Sequence, residues 1–440
     1  MSLVVNGSMN RNVLRIAVPS ILATITVPLV GMVDLAIAGR LGDAAMIGGV
    51  AIATMLFDLL YWNMSFLRVG TSGMVAQAYG RRDFREAMRV FVQGIFTSTA
   101  IAFLIWIIQM LYVNASFALI ECSPEVEQLA RSYYYVRIWA APATLGLYVF
   151  KGFFIGMQNA VSPMTVDLVV NGVNFVASVF FALYTDMGFA GIAMGTVVAQ
   201  YTGLVLSIIL MAVYYRKLFK YISLKSSIQM KSVKKFFSLN TDLFVRSICF
   251  LCIYSGFTAL SATFGDLMLA VCTIMMKLLL LYSYFIDGFA YAGEALVGRY
   301  TGANDGQSLR KAVKVIFIWC LSIAAVSTLA YALEGEMFVR ILTNDTQVIE
   351  ATGPFMPWLL IMPLMSCIAF TWDGIFIGAT ASKTIRNSMI YSVVGFFAAY
   401  FLLKNSIGVQ ALMVAFMVHL LVRSLYLSMF AKRKVFHIGA

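Results

Sequence analysis

The sequence predicts an all-α membrane protein of twelve transmembrane helices, arranged as two six-helix lobes related by a parallel repeat. Three observations predict it. The 440 residues are 61% hydrophobic and only 12% charged, against about a quarter charged in a soluble domain, so most of the surface does not face water. Apolar runs long enough to cross a bilayer recur along the whole chain. Lysine and arginine fall in alternate segments between those runs.

A span needs about 20 apolar residues. In hydrocarbon every backbone group must be bonded internally, so runs of this length must be helices. The alternating pattern of an outer-membrane barrel is absent. The first-half spans fall at roughly 13–37, 45–70, 88–112, 131–156, 163–184 and 188–213. Those of the second half fall at roughly 239–262, 268–297, 312–333, 353–378, 387–404 and 408–430. The longest polar stretch, Arg216 to Lys235, marks a linker over 216–238 between an N-lobe (1–215) and a C-lobe (239–440). Arg11 and Arg15 precede a run holding Pro19 and Pro28 that is too long for a signal-peptide core and is read as a retained first span.

Charge sets the orientation. With the N-terminus cytoplasmic, the inner segments hold 22 of the 32 lysines and arginines, among them Arg81, Arg82, Arg85 and Arg89, and seven from Arg216 to Lys235, Lys225 included. The outer segments hold only Arg40, Arg131, Arg340 and Lys404. Both termini are therefore expected in the cytoplasm, and the span count is even.

Several function classes are disfavoured. A net charge of +12 would suggest nucleic acid in a soluble protein, but here the basic residues are topogenic. Only two histidines, His419 and His437, are present, and Cys249-x-x-Cys252 lies inside a span without a second pair, so no metal centre or redox pair is expected. No catalytic constellation stands out; the chain is read as no enzyme, with no cofactor, no nucleic-acid partner and a monomeric state.

The halves repeat at an offset of about 222 residues. Lys151-Gly-Phe-Phe-Ile-Gly156 matches Asp373-Gly-Ile-Phe-Ile-Gly378, with Pro142 and Pro363 ten and eleven residues before Gly152 and Gly374. Gln77-Ala-Tyr-Gly-Arg-Arg-Asp83 matches Arg299-Tyr-Thr-Gly-Ala-Asn-Asp305. Both copies lie on the same side, so the repeat is parallel, as in transporters that work by alternating access.

Within this frame Asp34 is the foremost site residue. It stands at the outer end of an otherwise uncharged span, where low dielectric disfavours the charged form of a carboxylate. The alternative is an interfacial acid beside Arg40. Asn174 and Ser178 share a helix face in the fifth span, and Thr196 and Gln200 lie in the sixth; they line a site or hydrogen-bond between helices. Tyr133, Tyr134, Tyr135 and Trp139 line a cavity whose aromatic faces could hold a cation, or form an interfacial belt. In the second lobe Arg246, Lys277, Asp287, Glu294 and Asp373 form one or two buried ion pairs or a second coupling site.

The chain resembles the MATE (multidrug and toxic compound extrusion) family, and within it the DinF-like branch, over essentially its whole length. The resemblance is carried by Val33-Asp34 with Gly39-Arg-Leu-Gly42, Tyr61-Trp-Asn, Phe66-Leu-Arg-Val-Gly-Thr-Ser-Gly73, Asn240-Thr-Asp-Leu-Phe-Val-Arg246 and Asp287-Gly-Phe-Ala-Tyr-Ala-Gly-Glu294. It implies a cation-coupled antiporter of the bacterial inner membrane that expels amphipathic, often cationic drug-like compounds. It implies an essential carboxylate in the first span, here Asp34, and a bend at a proline such as Pro19 on protonation. Family members often carry an aspartate where Ser178 stands, so two-carboxylate sodium coordination is in doubt and the proton is the expected coupling ion, sodium the alternative. A lipid or oligosaccharide flippase of the wider superfamily is the other reading; such relatives have more spans and arginine-lined interiors.

Overall fold

The computed structural model describes residues 9–41, 44–120, 122–223, 227 and 229–437, and among these every regular element is helical. Gly42 of the first-span motif and Lys225 of the basic linker fall outside the described residues. In chain order the helices are α1 (Met9–Ile25), α2 (Val27–Leu41), α3 (Ala44–Met64), α4 (Phe66–Gly80), α5 (Phe84–Phe117), α6 (Pro124–Arg137), α7 (Ala141–Gly156), α8 (Val161–Leu183) and α9 (Phe189–Tyr215). The second half contributes α10 (Met230–Ala262), α11 (Asp266–Gly302), α12 (Gly306–Leu342), α13 (Thr346–Thr352), α14 (Met356–Gly378), α15 (Ser382–Ile407) and α16 (Gln410–Lys434).

Among the described residues eleven continuous stretches, from Ala45–Gly80 to Gln410–Lys434, are long and apolar enough to cross a membrane, and the first span is the pair α1 and α2. Together they make the twelve spans. Large apolar side chains such as Phe96, Ile107, Leu111, Val213, Leu333 and Leu402 point outward, as lipid-facing surface must.

The first span breaks at Thr26. Pro28 has no N–H to offer the carbonyl of Thr24, and the residue before a proline disfavours helical backbone. The Thr26 hydroxyl instead donates to Ala23 O at 2.7 Å. Pro19, by contrast, sits inside α1 with no interruption. The fourth and tenth spans each change pitch before a proline: 3₁₀ turns at Ile138–Ala140 and Gly353–Phe355 precede Pro142 and Pro357. The stretch 216–238 read as a linker is less irregular than its polarity suggests. It opens with a 3₁₀ turn, Arg216–Tyr221, and is helical from Met230, because lysines are good helix formers and need only water at their tips.

The described chain packs as two compact units. One comprises Leu22–Val75 and Asp83–Phe237; the other comprises the residues up to Ile21, Ala76–Arg82 and those from Ser238 on. The second-half unit thus also holds the first turns of α1 and the last turn of α4.

The repeat extends to backbone conformation. Among the described residues, four that are not glycine adopt positive φ, and they pair at an offset of 222: Arg82 (60°) with Asn304 (57°), and Gln158 (65°) with Thr380 (53°). The next helix after the first pair is capped alike, Asp83 accepting from Glu86 N and Asp305 from Ser308 N. The matched glycine motifs are packing devices. A Cβ on Gly152 would lie 2.4 Å from Arg68 O, and one on Gly374 would lie 2.2 Å from Ala290 O. Gly80 and Gly302 complete the pattern: a Cβ on either would lie 2.0 Å from a backbone oxygen, that of Arg299 or Gln77 respectively. Only glycine allows helices to approach so closely.

Gly302→Val should therefore force α11 away from the end of α4. The expected cost is about 1–3 kcal/mol or more, because the clash is with backbone and not with a movable side chain. Thermal unfolding in detergent should show a lower midpoint than Gly353→Val, where a Cβ meets nothing within 4 Å. Equal midpoints would contradict the packing role.

Candidate transport site

In the unit containing α2, α6, α8 and α9, the close approach of α8 and α9 comes first. Gly191 and Gly195 are four residues apart, and a Cβ on Gly195 would fall 2.2 Å from Ser178 Oγ. This contact brings the polar residues of the fifth and sixth spans within bonding distance. Asn174 Nδ2 donates to Thr196 Oγ1 at 3.0 Å, and Ser178 Oγ donates to Ile192 O at 3.2 Å.

Tyr133 on α6 extends the chain of contacts. Its hydroxyl donates to Asp34 Oδ2 at 2.9 Å, and the side chain of Thr196 lies near enough to interact with it electrostatically. Asp34, Tyr133, Thr196 and Asn174 are thus one connected cluster, each at most 4% exposed. Two acceptors within it, Asp34 Oδ1 and Asn174 Oδ1, are buried without a donor. Such atoms carry a desolvation cost until something supplies a proton or a positive charge.

Arg137 supplies the positive field. Its Nη1 donates to Tyr133 Oη at 3.4 Å, its guanidinium lies 4.7 Å from the centre of the Phe57 ring, and it interacts electrostatically with Asp34 and Asp58. Sequence reading missed both Arg137 and Asp58. The signal was available: each is a charge inside an apolar span, the criterion that selected Asp34, and Arg137 is one turn from Tyr133 on the same face.

The other expected residues divide. Ser178 turns to the backbone of α9, and Gln200 is half-buried one turn beyond Thr196. Tyr134 is buried with its ring stacked 4.8 Å from that of Phe57, whereas Trp139 is exposed. Asn171, one turn before Asn174, reaches the break in the first span, its Nδ2 donating to Thr26 O at 3.4 Å. Pro19 belongs to the other compact unit. Asp167 is paired with Lys151.

In the second-half unit the charges do pair. Asp373 receives Arg246 Nη2 at 2.5 Å and Arg423 Nε at 3.2 Å, and Arg423 is fully buried. Phe250 stacks beneath both guanidiniums, 4.8 Å from Arg246 and 4.6 Å from Arg423. Arg423 was missed on sequence although it too is a charge inside an apolar span, the last one. A second pair joins the buried Asp242 to the half-buried Arg386 at 2.6 Å, with Ser382 Oγ donating to Asp242 at 2.8 Å. Lys277 is exposed and Asp287 half-buried; neither joins the Asp373 pair. Among the described residues no group of three metal-ligating side chains is assembled.

Residues 19–180 and 243–403 match the MatE family model. The chain is 31% identical over 423 residues to DNA damage-inducible protein F of Escherichia coli, covering 95% of this chain and 91% of that one. It is 25% identical over 403 residues to multidrug and toxin extrusion protein 1 of Homo sapiens, covering 88% and 68%. Its fold superposes with a TM-score of 0.87, at 18% identity and over 99% and 97% of the two chains, on the outward-facing conformation of a multidrug resistance MATE family transporter of the MOP superfamily.

The Asp373 cluster generates one prediction. Removing the shared carboxylate strands the buried Arg423 and the half-buried Arg246, whereas removing Arg246 leaves Asp373 still paired with Arg423. Asp373→Asn should cost about 3–5 kcal/mol and Arg246→Met distinctly less. Denaturation of the purified variants in detergent reads the order; the reverse order would contradict the shared-carboxylate arrangement.

Proposed function

The chain belongs to the MATE family and is a multi-pass membrane transporter; we propose that it is a proton-driven exporter of amphipathic, cationic drug-like compounds from the bacterial cytoplasm, with Asp34 as the coupling carboxylate. The observation that carries the reading is the state of that carboxylate: buried, held through one oxygen by Tyr133, its other oxygen without a donor. A proton on Asp34 puts a donor into a cluster that holds two buried acceptors lacking one. Loss of that proton restores a negative charge able to attract a cationic drug. Exchange of the two at one carboxylate couples the fluxes, because the site cannot hold both with equal stability.

The charge distribution supports cytoplasmic termini and, with them, a position of Asp34 toward the outer face, the side of proton entry in this reading. A membrane potential negative inside favours that entry by about 2.3 kcal/mol per charge per 100 mV. Tyr133 orients the carboxylate, and Arg137 keeps a positive charge beside it that must be balanced at every stage. The serine at position 178 favours proton over sodium, since it leaves one carboxylate in the cluster and sodium sites need several hard oxygen ligands.

Proteoliposomes with an imposed pH gradient test this. Export of a fluorescent cationic dye should follow the gradient in the parent protein and fall to the protein-free level in Asp34→Asn. Transport driven by a sodium gradient alone would overturn proton coupling. Tyr133→Phe removes a hydrogen bond to a charged group worth about 1.5–3 kcal/mol and should slow gradient-driven export roughly tenfold or more while the protein stays folded. Unchanged export in that variant would remove Tyr133 from the mechanism.

A further inference from the structure

In the second-half unit, α12 and the end of α16 enclose an open pocket of about 560 Å³ lined by Arg310, Val313, Lys314, Lys432, Phe436 and His437. Three of these side chains are permanent cations and none is acidic. None of the three takes part in an ion pair among the described residues. The nearest carboxylate in sequence, Asp305, is already committed: it caps α12, and hydrogen bonds from the side chain and backbone of Ser308 hold its carboxyl below the usual carboxylate range. Its electrostatic partner is Lys311, which does not line the pocket.

The pocket is built rather than incidental. Beyond α16 the chain folds back, with the N–H groups of Val435 and Phe436 both donating to Ala431 O. Val435 is fully buried by this turn. Phe436 is set edge-on against Trp372, whose ring meets Phe317 at 4.8 Å and whose Nε1 donates to Ser428 Oγ at 2.9 Å. The result is an aromatic and aliphatic floor under a basic rim. A free anion would use the rim and leave the floor wet. A phosphodiester carrying a glycerol and acyl chains would use both.

We propose that this pocket binds the headgroup of an anionic phospholipid, with Arg310, Lys314 and Lys432 on the phosphate and Phe436 and Val313 against its apolar stem. Basic pockets at the level of the cytoplasmic headgroups recognise such lipids by this combination of charge and apolar contact. Assignment to the inner leaflet rests on the orientation argued above; the binding itself does not depend on it.

The test is lipid retention by the purified full-length protein, read by native mass spectrometry and by thermal shift on adding phosphatidylglycerol. The parent protein should retain phosphatidylglycerol and be stabilised by it, and phosphatidylcholine should do neither. The triple variant Arg310→Gln, Lys314→Gln, Lys432→Gln should retain about tenfold less or lower still. Lys404→Gln, a change at the opposite end of the bundle, should retain the parental amount. A triple variant that melts like the parent in phosphatidylcholine, yet keeps parental phosphatidylglycerol, overturns the proposal. Stabilisation of the parent by inorganic phosphate alone, to the same extent as by the lipid, also overturns it and assigns the pocket to a soluble anion. Neither readout involves transport, so failure here leaves the role of Asp34 standing, and failure of Asp34→Asn to abolish export leaves this binding intact.

Discussion

Helices in a bilayer gain nothing from hiding apolar side chains from one another, because the lipid is as apolar as they are. What remains is close contact, and here the closest contacts are made where glycine leaves the backbone bare. Gly152 lies on Arg68, Gly374 on Ala290, Gly302 on Gln77 and Gly195 on Ser178. The polar chemistry depends on them. Without the approach at Gly195, Asn174 and Thr196 could not share a hydrogen bond, and the cluster reaching Asp34 through Tyr133 would lose its far half.

The same scaffold carries two different electrostatic solutions. In the first, one carboxylate is incompletely bonded and faces one arginine across a tyrosine. In the second, one carboxylate is clamped by two arginines over a phenylalanine. A buried pair broken on one side is strongly destabilising, so the second arrangement resists a change of charge. The first is poised for it. The two repeats thus differ in how fully the central carboxylate is neutralised.

Much of this was legible in the sequence. Span count, the parallel repeat and a buried acid at position 34 follow from hydropathy, basic residues and one carboxylate inside an apolar run. The matched Gly-x-x-x-Gly segments were visible as a repeat, though not as the contacts they make. Arg137 and Arg423 were overlooked for a physical reason. An arginine in a span gains its meaning from the partner that neutralises it, and those partners, Asp34 and Asp373, lie 103 and 50 residues away in sequence. Pro19 drew attention as a possible hinge because proline removes a donor, yet the helix continues through it. The break falls at Thr26 instead, where Asn171 reaches the exposed carbonyl, a contact no local pattern encodes.

The paired left-handed residues show what duplication preserved. At 82 and 304 an arginine and an asparagine hold one conformation; at 158 and 380 a glutamine and a threonine do. Left-handed backbone is costly for such side chains, most of all for β-branched threonine, so the turns were kept for their shape while their chemistry drifted. Thr380 is also tied in, accepting from Gln77 Nε2 at 3.0 Å. Six spans return a chain to the side of the membrane on which it began. A six-span ancestor could therefore be fused head to tail without an added crossing, each copy inserting in the same sense. That freedom from topological constraint would have let one copy specialise while the other went on supplying a working frame.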